Sequence, residues 1–469
     1  MGNALPIERL LHAGVRHAIG WRSGAFAELH AGAMAQYDQA SPAQARARSL
    51  RLLRHVVFRA YHHVPHYHQV LTERRLTPRD VRDFDDLRLL PLLGRDDIRR
   101  AGSALHAGGR SRIGARKDAT GGSTGTPVEF LRSVTQAAAI IANEDRTWRW
   151  YGVAPGARQA LIWGADRDVP PTEDALRWPN RLLGIRRLNA FALDDDRCAI
   201  FAGQLNDFQP EIIYGYATAL HRFAQWTQAN PGRLRISPLA IRSSAEVLLP
   251  EARASIEAAF GGPVFDYYGA RDCGPIAGEC RARDGMHVYT DVTWVEIVRD
   301  DGSPCAPGEV GEVVITKLLE HAMPLIRYRT GDRAAWHTGE QPCSCGLTLP
   351  RMTQLAGRVG DFVVTPKGAS VHGEYFTHLF YHAAGVARFQ VRQVAADRLR
   401  ILVEPSPGQV PAAELLAYVQ QASADKFGAG PDAVTVELVR QIVPGATGKH
   451  RFVLPLGATA AEPLAWMPQ

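Results

Sequence analysis

The middle of the chain alternates short apolar runs with helical patterns, and this alternation restricts the fold more than any other feature of the sequence. Residues 160–163 and 212–214 have the composition of buried strands, and a helical pattern follows each, the second near residues 218–229. Parallel strands need a crossover of a dozen or more residues, which a helix usually provides. We therefore predict an α/β fold built on a mostly parallel sheet.

Other patterns flank this region. Residues 1 to about 60 are predicted to be helical, and a further amphipathic helix is predicted at 133–151. Residues 287–298 alternate with period two and 311–316 form another strand, which indicates an antiparallel or barrel-like subdomain. The last segment, from about 362, is predicted to be a small α+β domain. Its strands are expected at 389–394, 400–403 and 434–439, with a helix near 412–427.

The composition excludes several classes of protein. A chain of 469 residues is too long for one simple core, and 22% charged residues are typical of a globular protein. The net charge of +6 suits a polyanionic small ligand but is too diffuse for nucleic acid. No apolar run approaches 18 residues, and the start has no apolar signal core. Six cysteines that cluster late predict a reducing cytoplasm and a metal site rather than disulfides.

A glycine- and hydroxyl-rich stretch precedes the predicted sheet. Its members are Thr120, Gly121, Gly122, Ser123, Thr124, Gly125 and Thr126, followed by Pro127. Such a loop can direct several backbone N–H groups and hydroxyls at one anion, for which a nucleotide phosphate is the obvious guest. The stretch matches neither the P-loop nor the dinucleotide fingerprint. Taken alone, its composition is more typical of an ordinary surface loop.

A strand at 264–272 ends on two aromatic residues, a glycine and a carboxylate. Tyr268 beside Gly269 could stack on a purine, and Asp272 could hold Mg²⁺ through oxygen ligands. The alternative is a strand end with core tyrosines. Asp332 follows a glycine turn, where it could accept hydrogen bonds from ribose hydroxyls or form a solvated ion pair. Lys449 lies on a glycine-flanked loop and is either a cation that acts at the site or an ordinary solvated side chain.

A substrate pocket is expected where predicted strands end, because open α/β sheets bind ligands at the carboxyl ends of their strands. The candidate lining residues are Trp163, Tyr214, Tyr216 and Ser243.

Three cysteines and one histidine form a second set of candidate ligands. Cys280, His287, Cys343 and Cys345 would suit a closed tetrahedral Zn²⁺ site, which is normally structural. The two halves are far apart in sequence, so the alternative of buried free cysteines with a hydrogen-bonded His287 stays open. Cys273 is a substitute ligand in this interpretation.

Taken together and in this order, the motifs resemble the adenylate-forming (acyl-CoA synthetase) superfamily, in particular its phenylacetate–coenzyme A ligase and capsule-synthesis-type branch. The resemblance runs from residues 64–67 and 90–92 to Lys449. It rests on the 120–127 loop, Ser244-Ala245-Glu246, Tyr268-Gly269, residues 328–332, Gly357-Arg358 and Thr447-Gly448-Lys449.

The resemblance implies a role for each matching position. The 120–126 loop would close on the β- and γ-phosphates of ATP, Asp332 would bind the ribose, and Arg358 would lie close to the ribose and phosphates. Lys449 would bridge the substrate carboxylate and the α-phosphate as charge develops. The residues that would line the adenine, with Tyr268 stacking on it, are Ala245, Glu246, Asp266, Tyr267, Tyr268 and Gly269. Related ligases of this branch also carry a similar Cys/His/Cys/Cys set, which favours zinc.

Two positions depart from the family pattern. The acid after the Tyr-Gly pair is usually Glu, and Asp272 is one methylene shorter, so either Mg²⁺ would be held more loosely, through water, or the role of the acid would be partly lost. The hinge position usually carries an acid or Lys, and here it is Gly360, which can absorb the φ/ψ change of a domain rotation.

The resemblance implies a two-step ligase that uses ATP, Mg²⁺ and coenzyme A. An aryl or arylacetic acid would form an acyl-adenylate with release of pyrophosphate, and the coenzyme A thiol would then displace AMP. The alternatives are a carrier-protein thiol or an amine as acceptor, and a nucleotide-binding protein whose catalysis has decayed. We expect a large AMP-binding domain at 1–357, with the barrel-like subdomain at about 286–355, and a mobile domain at 358–469. The oligomeric state is left open, with a homodimer as one alternative.

Overall fold

The structure is a computed structural model. It describes residues 11–12, 14, 21–119, 128–163, 184–190, 192–246, 248, 250–299, 301–339, 341–353, 355, 362–372, 375–376, 379–380, 383, 385–405, 409–442, 453–457 and 463–465. None of the helices within these ranges combines the length and the hydropathy that a membrane crossing requires.

Helices and strands alternate through most of the chain. The helices are α1 Trp21–Asp38, α2 Pro42–His63, α3 Pro65–Glu73, α4 Arg95–Ala101, α5 Val134–Trp150, α6 Asp195–Phe208, α7 Ala217–Ala229, α8 Pro250–Phe260 and α9 Ala413–Phe427. The strands are β1 Arg116–Ala119, β2 Glu129–Arg132, β3 Gln159–Trp163, β4 Ile185–Asn189, β5 Ala192–Leu193, β6 Ile212–Tyr216, β7 Ala240–Ser244, β8 Val264–Ala270, β9 Gly274–Glu279, β10 Met286–Val288, β11 Thr293–Val298, β12 Gly311–Lys317, β13 Tyr328–Ala334, β14 Arg351–Met352, β15 Phe362–Val364, β16 Ser370–His372, β17 Val386–Ala395, β18 Arg398–Pro405, β19 Val434–Gln441, β20 Val453–Leu454 and β21 Leu464–Ala465.

The long N-terminal helix α2 shows how local sequence sets these bounds. Ser41 caps its start in a capping box with Gln44, and a proline at the first helical position has no N–H to leave unsatisfied. The helix ends at His63 because Val64 precedes Pro65, and a residue before proline is pushed out of the helical region. Pro65 then begins α3.

An eight-stranded sheet forms the centre of the large domain. Its order is β14-β10-β9-β8-β7-β6-β3-β4, and the strands from β8 to β4 are parallel while β9, β10 and β14 are antiparallel. Helices α6, α7 and α8 contribute to one hydrophobic cluster with this sheet, and α5 contributes to another through Trp148. The prediction of an α/β fold with a mostly parallel sheet is therefore confirmed.

A separate three-stranded antiparallel sheet, β11-β12-β13, follows. The sequence predicted one alternating strand at 287–298, but the chain turns between Val288 and Thr293, and β10 joins the eight-stranded sheet. The alternation could not reveal this break because residues 286–293 are all buried, so no solvent-facing side distinguishes the two strands.

The C-terminal segment has a hydrophobic cluster of its own. Phe376, Phe389 and Phe427 are fully buried there between α9 and a five-stranded sheet of order β20-β17-β18-β19-β21. The preceding hairpin, β15–β16, pairs instead with β5 of the large domain, with Ser370 opposite Leu193. The predicted boundary at 357/358 stays a prediction, and the strand pairing shows that the residues after it contact the large domain.

Candidate functional site

A pocket lies at the carboxyl end of the central strands. Its empty space, including the part that is open to solvent, is about 500 Å³. Its walls come from the turn after β7, the end of β8, the start of β10, and β13. The lining residues are Ala245, Glu246, Asp266, Tyr267, Tyr268, Gly269, Ala270, Met286, Asp332 and Leu355. Seven residues that the resemblance assigned to adenine and ribose thus surround one space, although they come from three separate motifs.

The pocket has a defined hydrogen-bond geometry. The Tyr268 hydroxyl donates to Asp332 Oδ2 at 2.9 Å, and its oxygen lies 3.3 Å from Thr330 Oγ1. Burial raises the pKa of the Tyr268 hydroxyl, and the nearby Asp332 carboxylate raises it further, so the phenol stays protonated and remains a donor. The bond fixes one carboxylate oxygen of Asp332 at the edge of the pocket.

Backbone conformation at the rim depends on small residues. A Cβ on Gly269 would lie 2.9 Å from the Gly274 carbonyl oxygen, so only glycine permits this close approach of β8 and β9. Ala245 adopts a φ of +69°, which is uncommon for a residue other than glycine, asparagine or aspartate. Such strained positions cluster at ligand sites.

Asp272 lies in the turn between β8 and β9 and is not among the lining residues of the pocket. Its Oδ2 accepts a hydrogen bond from the Tyr328 hydroxyl at 2.7 Å, and its Oδ1 accepts one from the Cys273 N–H at 3.1 Å. Arg95 Nε donates to the same Tyr328 oxygen at 3.3 Å. The carboxylate is thus held by protein donors on both oxygens, and its assignment to Mg²⁺ stays a prediction.

The aromatic residues proposed for the substrate pocket come together. The Trp163 ring centroid lies 5.0 Å from that of Tyr214 and 4.1 Å from that of Tyr216. Ser243 lies in β7 opposite Gly215 in β6, so it belongs to the other side of the sheet from Tyr214. Its Oγ is buried and has no hydrogen-bond partner among the described residues.

Sequence reasoning missed Arg242. Its guanidinium carbon lies 4.0 Å from the Tyr214 ring centroid and 4.6 Å from that of Tyr267, and Nη2 forms an ion pair with Glu144 at 2.9 Å. The signal was available in principle, because an arginine in the middle of a buried strand requires a partner. The partner itself, on α5, could not be read from the sequence.

The four predicted metal ligands converge at the other end of β9 and β10. The ligand atoms of Cys280, His287, Cys343 and Cys345 all lie within 4.8 Å of one another. Cys280 Sγ is 3.5 Å from Cys343 Sγ, and Cys345 Sγ is 3.3 Å from His287 Nε2. A tetrahedral Zn²⁺ site separates its ligand atoms by roughly 3.6–3.8 Å, so the cluster fits this ion.

The imidazole of His287 is prepared for a ligand role. Nδ1 lies 3.2 Å from the Leu349 carbonyl oxygen, so it carries the proton and leaves Nε2 facing the thiols. Burial lowers the pKa of His287 to about 4, which keeps the ring neutral near pH 7. A neutral imidazole is the form that binds a metal.

Several predicted site residues lie outside the described residues. They are Thr120, Gly121, Gly122, Ser123, Thr124, Gly125 and Thr126 of the loop, together with Arg358, Gly360 and Lys449. The strands β1 and β2 that flank the loop pair antiparallel, with Ala119 opposite Glu129.

The fold of this chain is that of solved acyl-CoA ligases. It superimposes on a 2-hydroxyisobutyryl-CoA ligase in complex with 2-HIB-AMP and CoA in the thioesterification state with a TM-score of 0.62 and 21% identity, covering 90% of this chain and 91% of that one. The same ligase in the postadenylation state gives a TM-score of 0.58, also at 21% identity and with the same coverage. No family model matches the sequence.

In sequence, the chain is similar to two kinds of curated protein. It is 27% identical over 335 residues to a phenylacetate-coenzyme A ligase of Thermus thermophilus, covering 70% of this chain and 73% of that one. It is 26% identical over 301 residues to protein CapK of Staphylococcus aureus, covering 63% of this chain and 64% of CapK, which is less than two thirds of that protein's length. The resemblance to the phenylacetate–CoA ligase and capsule-synthesis-type branch of the adenylate-forming superfamily is confirmed.

Proposed function

We propose that this protein is an ATP-dependent, AMP-forming acid–thiol ligase. A carboxylate attacks the α-phosphorus of ATP, pyrophosphate leaves, and the thiol of coenzyme A then takes the acyl group from the adenylate. The observation that carries the proposal is the pocket, because Glu246, Tyr268 and Asp332 come from three distant motifs and meet around one space. The names of the relatives and of the solved ligases support the same chemistry.

The pocket residues bind and orient the nucleoside. The Tyr268 ring offers a face for the adenine, and its hydroxyl holds Asp332 Oδ2 so that the carboxylate can accept from the ribose hydroxyls. Hydrogen bonds to a charged acceptor are stronger than neutral ones, so Asp332 is the main polar anchor of the ribose.

The phosphate end of the site is assigned to the 120–126 loop and to Asp272. The loop directs N–H and hydroxyl groups at the β- and γ-phosphates. Mg²⁺, when bound, neutralises charge on the leaving pyrophosphate. Asp272 would contribute its carboxylate to that ion, either directly or through water, while Tyr328 keeps the carboxylate in place. Arg358 and Lys449 supply the remaining positive charge, Lys449 acting on the α-phosphate and the substrate carboxylate.

The acyl group is assigned to the aromatic residues at the strand ends. Trp163, Tyr214 and Tyr216 form a cluster that suits an aryl or arylacetic acid. Arg242 extends the cluster with a buried cation. The acceptor is coenzyme A; a carrier-protein thiol or an amine is the alternative. The C-terminal domain, 358–469, moves between the two half-reactions about the Gly360 hinge, and the pairing of β15–β16 with β5 is one contact that would break and re-form.

The cysteine and histidine cluster is assigned to structural Zn²⁺. Four protein ligands close the coordination sphere, which leaves no position for substrate. The ion would tie the 343–345 loop to β9 and β10. We further assign the protein to the cytoplasm, because cysteines are kept reduced there, with a homodimer as one assembly to test.

ATP–pyrophosphate exchange across a panel of carboxylic acids tests the function. We expect exchange with one class of acid, thioester formation when coenzyme A is added, and a loss of about 10²-fold or more in Lys449→Ala. Lys426→Ala, a lysine on α9 of the same domain, is the matched control and should keep full exchange. Unchanged exchange in Lys449→Ala contradicts the assignment.

The second candidate is a nucleotide-binding protein without turnover. It is favoured by Asp272, whose two oxygens already accept hydrogen bonds from Tyr328 and Cys273. AMP binding by calorimetry combined with no exchange for any acid would establish it.

A further inference from the structure

A buried ion pair lies between the Asp272 turn and the β2–α5 connection. The Lys317 and Glu320 side chains are only 2% and 0% exposed, and Nζ lies 3.6 Å from Glu320 Oε2. Neither residue lines the nucleotide pocket. Each one, however, bonds to the backbone of a segment that does carry site residues.

Lys317 holds the turn that carries Asp272. Its Nζ donates a hydrogen bond to the Asp272 carbonyl oxygen at 3.0 Å. The same ammonium lies 6.0 Å from the ring centroid of Phe130, which belongs to the strand leaving the glycine-rich loop. One cation therefore contacts both of the segments to which the proposed function assigns the phosphates.

Glu320 holds the chain that follows the loop. Both carboxylate oxygens accept from the Ser133 N–H at 3.1 Å, and Oε1 also accepts from the Ala322 N–H at 2.8 Å. Ser133 is the N-cap of α5. Two residues before it, the Leu131 N–H donates to Met323 Sδ at 3.4 Å. The 320–323 segment thus forms hydrogen bonds to the β2–α5 connection at two positions.

Stability alone is a poor reason for such a pair. Replacing a buried ion pair by apolar residues is often neutral or stabilising, whereas removing one partner leaves an unpaired buried charge. The use of lysine rather than arginine at position 317 is also informative, because only five of the 54 lysine and arginine residues of the chain are lysines. A compact ammonium can reach a single carbonyl oxygen in a space that the planar guanidinium fork would not match.

We propose that Lys317 and Glu320 are positioning residues that set the Asp272 turn and the exit of the glycine-rich loop in one geometry, so that both act on the departing pyrophosphate together. The inference rests on the proposed ligase function. Neither side chain touches the nucleotide, so their effect is on the rate of the adenylation step and not on binding of the nucleoside.

The experiment compares Lys317→Met, Glu320→Gln and the double variant Lys317→Met/Glu320→Gln with the wild-type chain, and Lys426→Met is the matched control. The single variants should melt at lower temperature, and the double variant should regain most of the loss because no unpaired charge remains. We expect its AMP affinity to stay within about twofold of wild type, while kcat for pyrophosphate exchange falls about tenfold or more. Lys317→Arg keeps the positive charge, but its kcat for pyrophosphate exchange should stay below that of the wild type.

A double variant with wild-type kcat, or one whose lost exchange is matched by lost AMP affinity, overturns the inference. Hydrogen–deuterium exchange decides the same question without turnover. The double variant should lose protection in both 129–136 and 268–275, and unchanged protection in either segment contradicts the proposal. If the wild-type chain shows no ATP–pyrophosphate exchange with any acid, the ligase function is refuted instead. The hydrogen–deuterium protection measurement would still test the positioning role.

Discussion

The proposed nucleotide pocket and the cysteine–histidine cluster lie on neighbouring strands of one sheet and are built in opposite ways. In the pocket, the end of β8 and the turn after β7 direct Asp266, Tyr268 and Glu246 towards empty space. In the cluster, Cys280 at the end of β9 and His287 in β10 turn towards Cys343 and Cys345, so that the four ligand atoms face one another.

The difference follows from what each group of side chains must do. The pocket of the proposed ligase has to be stable when empty, and there the Tyr268 hydroxyl and Asp332 Oδ2 satisfy each other. A cluster of three thiols and an imidazole gains little without an ion, because its groups are poor partners for one another. Loss of the nucleotide should therefore affect function alone, and loss of the ion should affect the fold.

The strongest test of this difference is removal of one thiol. We expect Cys343→Ala to lose about one bound Zn²⁺ per chain and to lower the free energy of unfolding by several kcal/mol, because metal-binding energy is folding energy at such sites. Metal analysis and urea unfolding measure the two effects. Cys198→Ala, another fully buried thiol, is the matched control and should retain the metal. Full stability of metal-free Cys343→Ala would contradict the structural role.

Acid should weaken the cluster next. When no metal is bound, the unfolded histidine takes a proton near pH 6.5 and folded His287 only near pH 4, so between these values the unfolded chain binds more protons and stability falls as pH falls. The loss should reach about 3 kcal/mol by pH 4. Unfolding and metal content followed from pH 7 to 4 check this expectation. His337→Gln, which removes an imidazole bonded to Asp284, should keep the pH dependence. A wild-type free energy of unfolding that does not change between pH 7 and pH 4 would contradict the expectation for His287.

A substitution in the pocket should weaken ligand binding and leave stability almost unchanged, the opposite of a substitution in the cluster. Asp332→Asn removes the charge that we propose as the anchor of the ribose, and we expect AMP affinity to weaken about 10- to 100-fold, since hydrogen bonds to charged groups contribute about 1.5–3 kcal/mol. The melting temperature should hardly change. Glu309→Gln, a carboxylate in the 306–309 turn, is the control and should bind AMP normally. Calorimetry combined with thermal melting separates this outcome from a general loss of folding.

The smallest expected effect concerns the hydroxyl that positions Asp332. Tyr268→Phe keeps the ring and removes only the hydrogen bond to Oδ2, so AMP affinity should fall about two- to tenfold with no loss of metal. Tyr418→Phe, at an exposed position, provides the control. An effect as large as that of Asp332→Asn would mean that the hydroxyl contacts the ligand itself.

The sequence predicted much of the fold because strand length and helix periodicity are local properties. The strands at 160–163 and 212–214 and the helix near 218–229 correspond to β3, β6 and α7. The split of 287–298 into β10 and β11 was missed, since a strand buried on both sides has no alternation to interrupt. The pairing of Ser370 with Leu193 joins residues 177 positions apart (370 minus 193), and no local signal specifies such a partner.

The candidate site likewise has properties that the sequence determines and others that only the tertiary structure determines. Residue identity determined which chemical groups are available, namely an aromatic ring at Tyr268, a carboxylate at Asp332 and soft metal ligands at Cys280 and Cys343. Only tertiary structure decided that the first two meet across 2.9 Å and that the thiols close on His287. It also revealed the partners that the sequence hides, Glu144 for Arg242 and Glu320 for Lys317. A buried charge requires a partner wherever the chain can bring one, and its sequence position does not say where that will be.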